Sequence, residues 1–361
     1  MNSTMRAFHI SVLAVLALFS LSCSGNGGED MVLELTADRT VIHTGDGNAV
    51  TFSAMYGGED VSTSPDFRLS WTSEDGASDL EPGVNTFSPE TEGTYVFTAT
   101  YSTAGGTVTS NSVEITVTPE PVIRDYARQI LAMQFTSVGC VNCPAMSTGL
   151  KTVQGENPGR VNVVSFHQFY GNVADPMECE MTSLFTSRFG VTGLPQCYLD
   201  MRPEKVTADI SDLRTSVGEA LGRKAASGLA VESSVSEGKV SVTVRITSNE
   251  SAVFRYLIFL VEDGIEYMQY GADESPYIHN NVVRSVLSTS SNGERVNSGN
   301  PLMEGVEYTS SRTSALDDSW NADNMRIVVA SLVSEDDGMT YICANSVSCP
   351  LGGSAGYDLN E

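Results

Sequence analysis

Gln134-Phe-Thr-Ser-Val-Gly-Cys-Val-Asn-Cys-Pro144 decides how the middle of the chain folds. The apolar run Ile130 to Phe135 reads as a strand, and Ala145 to Val153, beyond Pro144, reads as a helix. Cys140 and Cys143 therefore stand at C-x-x-C spacing between a strand and a helix. At such a junction, unpaired backbone N–H groups and the positive end of the helix dipole stabilise a thiolate on the first Cys. The second Cys, one turn along, can attack a mixed disulfide that the first has formed. Zinc sites share the spacing but need four ligands, and only Cys140, Cys143 and His167 are within reach of one another in this reading. The sequence calls for no metal and no cofactor.

Working outward, strand and helix alternate on both sides of this motif, the sign of a βαβ unit. Arg160 to Phe166 forms a second apolar strand ending at His167. Asp175 to Phe189 has Met177, Met181, Leu184, Phe185 and Phe189 near helical spacing, and Thr207 to Lys224 closes the unit as an amphipathic helix. Between them, Gly190-Val-Thr-Gly-Leu-Pro-Gln-Cys-Tyr-Leu-Asp200 is a turn in which Pro195 opens a short strand. A strand-opening Pro downstream of a C-x-x-C resembles the cis-proline loop of thioredoxin-like folds, so the Leu194–Pro195 bond is expected to be cis, an uncommon state. If the strands ending at Phe135 and His167 run parallel, both ends meet one sheet edge, where ligands of open α/β sheets collect. His167 would there tune the Cys140 thiolate or shuttle a proton; a hydrogen-bonded, partly buried His is the plainer alternative. Cys197 shares a strand face with Pro195 and is either a third thiol near the C-x-x-C helix or an inert core cysteine.

The flanks read as β structure. Between residues 31 and 119, short β-branched runs (Val50 to Met55, Phe67 to Trp71, Tyr95 to Tyr101, Val113 to Val117) are separated by Gly, Asp, Ser and Pro clusters. Glu92-Gly-Thr-Tyr-Val-Phe97 resembles the tyrosine corner of immunoglobulin-like sandwiches, with Trp71 at the buried Trp position and Phe97 in place of the second Cys. From 225 to 350 strands return (Val231 to Val235, Val240 to Ile246, Tyr256 to Glu262, Arg326 to Val333), which suits a second sandwich. Pro276 to Arg284 reads as a loop or short helix, in which His279 and Arg284 either pack locally or line a cleft. The expected chain is thus multidomain: an all-β immunoglobulin-like sandwich over 31–119, an α/β thioredoxin-like domain over 122–224, an all-β sandwich over 225–350 and a flexible tail over 351–361.

The first 22 residues read as an export signal. Arg6 supplies the positive end, Ile10 to Leu21 is an apolar run of 12 residues, and Ser20-Leu-Ser-Cys23 is a cleavage site ending in Cys. The run is too short for a lasting transmembrane helix. Cys23 is therefore the expected lipid attachment site, with residues 23–30 a flexible tether. This reading predicts that Cys23→Ser releases the protein from membranes into the soluble fraction; unchanged membrane association would contradict it.

Overall the chain holds 20 Lys+Arg against 45 Asp+Glu in 361 residues, a formal charge of −25. The acid concentrates outside the middle region: 14 acidic to 2 basic over 31–120, 10 to 8 over 121–222, and 19 to 9 over 223–361. Such a surface argues against nucleic acid or anionic lipid as a partner. Six cysteines follow Cys23, and export allows them to be oxidised. Nearness favours Cys140–Cys143; Cys179, Cys197, Cys343 and Cys349 remain open.

Together these features resemble the outer-membrane lipoprotein family of Bacteroidetes named after a twenty-eight-kilodalton outer-membrane protein. The motifs that carry the resemblance are Phe135 to Pro144, His167 with Asp175-Pro176, Gly193-Leu-Pro-Gln-Cys-Tyr-Leu-Asp200 and His279-Asn-Asn-Val-Val-Arg284. It spans about residues 125–349 and implies an exported, envelope-associated protein with a thioredoxin-like domain followed by a β-rich domain. The implied chemistry is thiol–disulfide exchange with Cys140 as nucleophile, Cys143 resolving and Pro195 shaping the groove. Its partners would be envelope or surface proteins with thiols or disulfides, and the membrane through the lipid anchor. Two departures weigh the other way: Gly139 stands where active thioredoxins usually carry Trp, and no acid lies within Ile130 to Phe135. The alternative is a non-catalytic outer-membrane or surface binding lipoprotein that uses the thioredoxin fold as scaffold.

Overall fold

The computed structural model describes residues 32–44, 48–120, 124–336 and 338–360. The signal, Cys23 and the tether lie outside the described residues. The chain divides into two compact units, with the boundary between Pro119 and Glu120.

The first unit is two β-sheets around one core. Leu33–Ala37, Val50–Tyr56, Glu59–Asp60 and Thr86–Phe87 form one sheet; Val41–His43, Val113–Thr118, Gly93–Thr103, Phe67–Ser73, Gly76–Asp79 and Gly106–Thr109 form the other. Strict alternation drives this: in Val50–Tyr56 every second side chain is buried. Phe52, Phe67 and Phe97 are fully buried, and the Phe52 and Phe97 rings lie 4.5 Å apart. The Tyr95 hydroxyl meets Thr91 Oγ1 at 2.7 Å and donates to the Thr91 carbonyl at 3.1 Å, the backward reach expected of a tyrosine corner. Trp71 packs edge-on to Tyr95.

The second unit is built on one long sheet. Its strands run in the order Lys205–Val206, Gln196–Leu199, Ile130–Thr136, Val161–His167, Val282–Val286, Phe254–Glu262, Met325–Val333 and Ile342–Pro350, with Glu294–Arg295 paired to the side. Ile130–Thr136 and Val161–His167 are parallel, with Thr136 opposite His167, and every residue of both is buried. That is what continuous apolar runs covered on both faces predict. One face of this half carries the helices Cys143–Glu156 and Ile210–Leu221, whose Met146, Leu150, Val153, Leu213 and Val217 close over Ile130, Ala132 and Val163. The Ile210–Leu221 helix starts where Asp209 accepts from the N–H groups of Ser211 and Asp212, a side-chain N-cap. On the other face Phe135, Phe166 and Phe185 stack beside Phe259. Truncating one such ring costs about 3–5 kcal/mol. Against the far half of the long sheet packs a second sheet of Tyr308–Ala315, Lys239–Ser248, Ser227–Ser236 and Ser354–Ala355.

Four sequence expectations change. First, the structure has no separate rear domain beginning at 225. Val282–Val286 pairs in parallel with Val161–His167 at Ser165–Val282, and the Ser165 N–H donates to Asn281, so the two expected domains share a sheet and a core. Each would otherwise present a bare sheet edge, which continuous pairing removes. Second, 351–360 is no loose tail. Ser354–Ala355 pairs with Ser227–Ser236, Asp358 and Asn360 bond the backbone of Ala127 and Asp125, and Tyr357 packs against Tyr126. Third, the helix expected over 175–189 shrinks to Thr182–Arg188. A residue before proline avoids the helical region, and the Asp175 carboxylate instead caps the Met177 N–H. Fourth, the stretch around His279 and Arg284 forms strands, Tyr277–His279 and Val282–Val286, rather than a loop or short helix.

Candidate functional site

The strand Ile130–Thr136 ends at a turn, Ser137 to Asn142, that feeds the helix Cys143–Glu156. The Cys140 N–H donates to the Ser137 carbonyl at 3.1 Å and the Cys143 N–H to the Cys140 carbonyl at 3.3 Å. Cys140 and Cys143 are joined in a disulfide with 5.4 Å between Cα atoms. The helix begins at Cys143, with Asn142 as N-cap residue and Pro144 in its first turn, so Cys140 sits in the turn two residues before the N-cap. Both cysteines are buried, Cys140 at 2% and Cys143 at 1% exposure, whereas Val141 between them is 64% exposed.

Gly139 explains the departure in front of Cys140. A side chain there would meet the Tyr170 carbonyl at 2.7 Å and Val173 at 3.0 Å, because the segment 170–173 lies against the turn. No Trp fits in that position.

Beside the turn lies a buried polar cluster. His167 Nδ1 is 2.8 Å from Asp175 Oδ2, and the same oxygen accepts the Val138 N–H at 2.9 Å. The strand end and the disulfide turn are thus tied to one carboxylate. Burial pushes the Asp175 carboxyl up, but the hydrogen bond and charge of His167, with the Val138 and Met177 N–H groups, outweigh it and leave it below the usual carboxylate value. His279 completes the cluster, its ring 5.3 Å from that of His167, with no partner for its Nε2 among the described residues. Burial, and next the His167 charge, push His279 down from 6.5 to about 4.

The pH dependence follows. Unfolded His279 takes up a proton below about pH 6.5, whereas the folded ring resists until about 4. More protons are bound to the unfolded chain between those values, so stability is full above the window and falls as pH drops through it, by about 3 kcal/mol at most. Urea midpoints at pH 7.5 and pH 5 should therefore differ, and His279→Asn should flatten that difference. An unchanged pH difference in the variant would contradict this assignment.

At the same sheet end, Gln196 pairs with Phe135, which places Pro195 across from the start of the turn. The Leu194–Pro195 bond is cis. Cys197 is fully buried in the core beneath the Cys143–Glu156 helix, and burial pushes its thiol up to about 12. That burial favours the core-cysteine alternative. Cys179, Cys343 and Cys349 are likewise free and buried, and burial raises each. Arg284 is spent on an ion pair with Glu262 at 2.6 Å. No group of three or more His, Cys, Asp or Glu side chains arranged to hold a metal ion occurs among the described residues.

Sequence reasoning missed Gln269. Its Nε2 lies 3.2, 3.3 and 2.9 Å from the carbonyls of Ser137, Val138 and Cys140. Nothing in the local pattern marks it, because its partners lie far upstream in the chain.

Residues 182–347 match the sequence model of the family described as Outer membrane protein Omp28. The resemblance read from the motifs is shown over that span, which includes Pro195, Gln269 and His279 and begins after the disulfide turn. No curated protein matches the chain. Among solved structures, HBP35 of Porphyromonas gingivalis superposes with a TM-score of 0.52 at 14% identity, over 64% of this chain and 77% of that one. This likeness is one of fold. A crystal structure of an Agrobacterium tumefaciens protein gives a TM-score of 0.42 at 16% identity, over 65% of this chain and 99% of that one.

Proposed function

We propose that this Omp28-related chain is a cell-envelope protein whose α/β region is thioredoxin-like and exchanges disulfides through Cys140 and Cys143. The observation that carries the reading is the Cys140–Cys143 disulfide at a strand-to-helix junction, with Pro195 across the same sheet end. In the reduced protein the Cys140 thiolate attacks one sulfur of a client disulfide and expels the other as a thiolate. The Cys143 thiolate then attacks Cys140, closing the disulfide and releasing the second client sulfur. Two electrons pass to the client, and the two protons given up by Cys140 and Cys143 end on its sulfurs. The reverse sequence oxidises a client dithiol. His167 and Asp175 act as positioning residues, since Asp175 holds the Val138 N–H and so fixes the turn. Lipid attachment at Cys23 and a place in the outer membrane complete the proposal, supported by the signal-like leader and the family match.

A specific observation favours a second reading, a binding lipoprotein that uses the fold as scaffold: Cys140 is only 2% exposed. Capture of mixed disulfides separates the two. Cys143→Ser, expressed in envelope-containing cells, should accumulate client adducts that dissolve on reduction and disappear when Cys140→Ser is added. No adducts under oxidising or reducing growth would leave the scaffold reading standing.

A further inference from the structure

Cys140 is buried in a turn against which a nearby loop is fastened. Strands Ile265–Tyr267 and Tyr277–His279 pair as a hairpin, and the chain between them crosses the disulfide turn. The Tyr270 N–H donates to the Val138 carbonyl at 2.9 Å. Gln269 Nε2 sits among the Ser137, Val138 and Cys140 carbonyls and also 3.1 Å from that of Tyr270. An amide nitrogen has two hydrogens, so these four acceptors share them. Gly271 touches the turn itself: with φ at +77°, a Cβ there would stand 2.1 Å from the Val141 carbonyl oxygen.

We infer that residues 268–272 are a strap that closes the disulfide by occupying, with their own amide donors, the carbonyls a client backbone would use, and that exchange requires the strap to lift. This rests on the exchange reading proposed above. The fastening is of the right kind for a strap. It consists of polar contacts and one close backbone approach, while the apolar side chains of the segment point outward: Met268 is 42% and Tyr270 47% exposed. A segment that buries so little apolar surface opens locally far more readily than the core beneath it. The stem is fixed differently, since His279 is buried against His167. The loop can therefore lift while the stem holds. An extended segment whose N–H groups take over the Val138 and Cys140 carbonyls would displace the strap without leaving those acceptors unpaired.

The test is the rate at which excess dithiothreitol reduces Cys140–Cys143 in the folded, full-length protein, followed by mass-tagged alkylation. Gly271→Ala forces the loop off the Val141 carbonyl and should speed reduction at least tenfold. Gln269→Ala removes the amide alone and should speed it several-fold, with thermal midpoints close to the parent in both. Hydrogen exchange at the Tyr270 amide should be slowed in the parent and fast in Gln269→Ala. If both folded variants are reduced at the parent rate, or if the parent is reduced as fast as oxidised glutathione, the strap is ruled out. Access to a small reductant needs no client. Faster reduction in the variants without client capture by Cys143→Ser would therefore sink the exchange reading and leave the strap.

Discussion

Arg128→Ala should destabilise the second unit by about 3–5 kcal/mol, the cost of stranding a buried partner charge. Arg128 is 5% exposed, and its guanidinium reaches Asp200 Oδ2 at 2.5 Å, the Cys343 carbonyl at 3.3 Å and the Ala344 carbonyl. The Asp200 side chain is fully buried, and its other oxygen accepts the Leu131 N–H at 3.1 Å. Arg223 stands 3.8 Å away at the surface and cannot replace the fork geometry. Burial pushes the Asp200 carboxyl up, and Arg128 and the Leu131 N–H only partly offset it. Removing Arg128 leaves that carboxyl without its main counter-charge and two carbonyls without a donor. The pair joins three strands, Ile130–Thr136, Gln196–Leu199 and Ile342–Pro350, so it fastens the α/β half of the sheet to its far edge. For a unit of this size the thermal midpoint should fall by roughly 6–20 °C. Arg128→Met combined with Asp200→Asn should recover a large part of the loss, because no charge is then stranded. A midpoint within 2 °C of the parent, roughly the shift that 1 kcal/mol produces, would show that the pair does not fasten the sheet.

The parts of the fold that the sequence made legible are those set by local pattern. Alternation in Val50–Tyr56 and the Tyr95 turn mark the first unit, and an apolar strand running into Cys140 and Cys143 marks the sheet edge of the second. Side-chain period alone cannot say which strand lies next to which. Val161–His167 and Phe254–Glu262 are buried on both faces, and such runs fit the middle of any sheet. Their union rests on the short strand Val282–Val286, which lies in a polar and aromatic stretch that the sequence alone places in a loop or short helix. The end of the chain, expected as a flexible tail, is held by Tyr126 and Ala127, contacts far upstream that no local pattern reveals.

The site was legible in proportion to its nearness in sequence. Cys140, Cys143, Pro195 and His167 carry recognisable spacing or strand-end positions. Asp175 was visible beside Pro176, although the helical spacing of the apolar residues after it concealed that it leaves the helix to meet Val138 and His167. Gln269 was not visible, since a side-chain amide bound to carbonyls on another element leaves no periodicity. In the strap inferred above, that contact is what fastens the loop to the disulfide turn.

The central claim is that Cys140–Cys143 is an exchanging pair rather than a staple, and its reduction potential decides this most directly. Structural disulfides of exported proteins lie below about −300 mV, whereas exchange catalysts fall between roughly −120 and −270 mV. Among the described residues Cys179, Cys197, Cys343 and Cys349 are free and buried, so there a redox titration of the native protein reads this one couple. Equilibration in glutathione and dithiothreitol buffers at pH 7, quenched by acid and counted by alkylation and mass spectrometry, should give a single two-electron transition between about −120 and −270 mV. A midpoint below about −300 mV, or reduction only when the protein unfolds, would contradict the account.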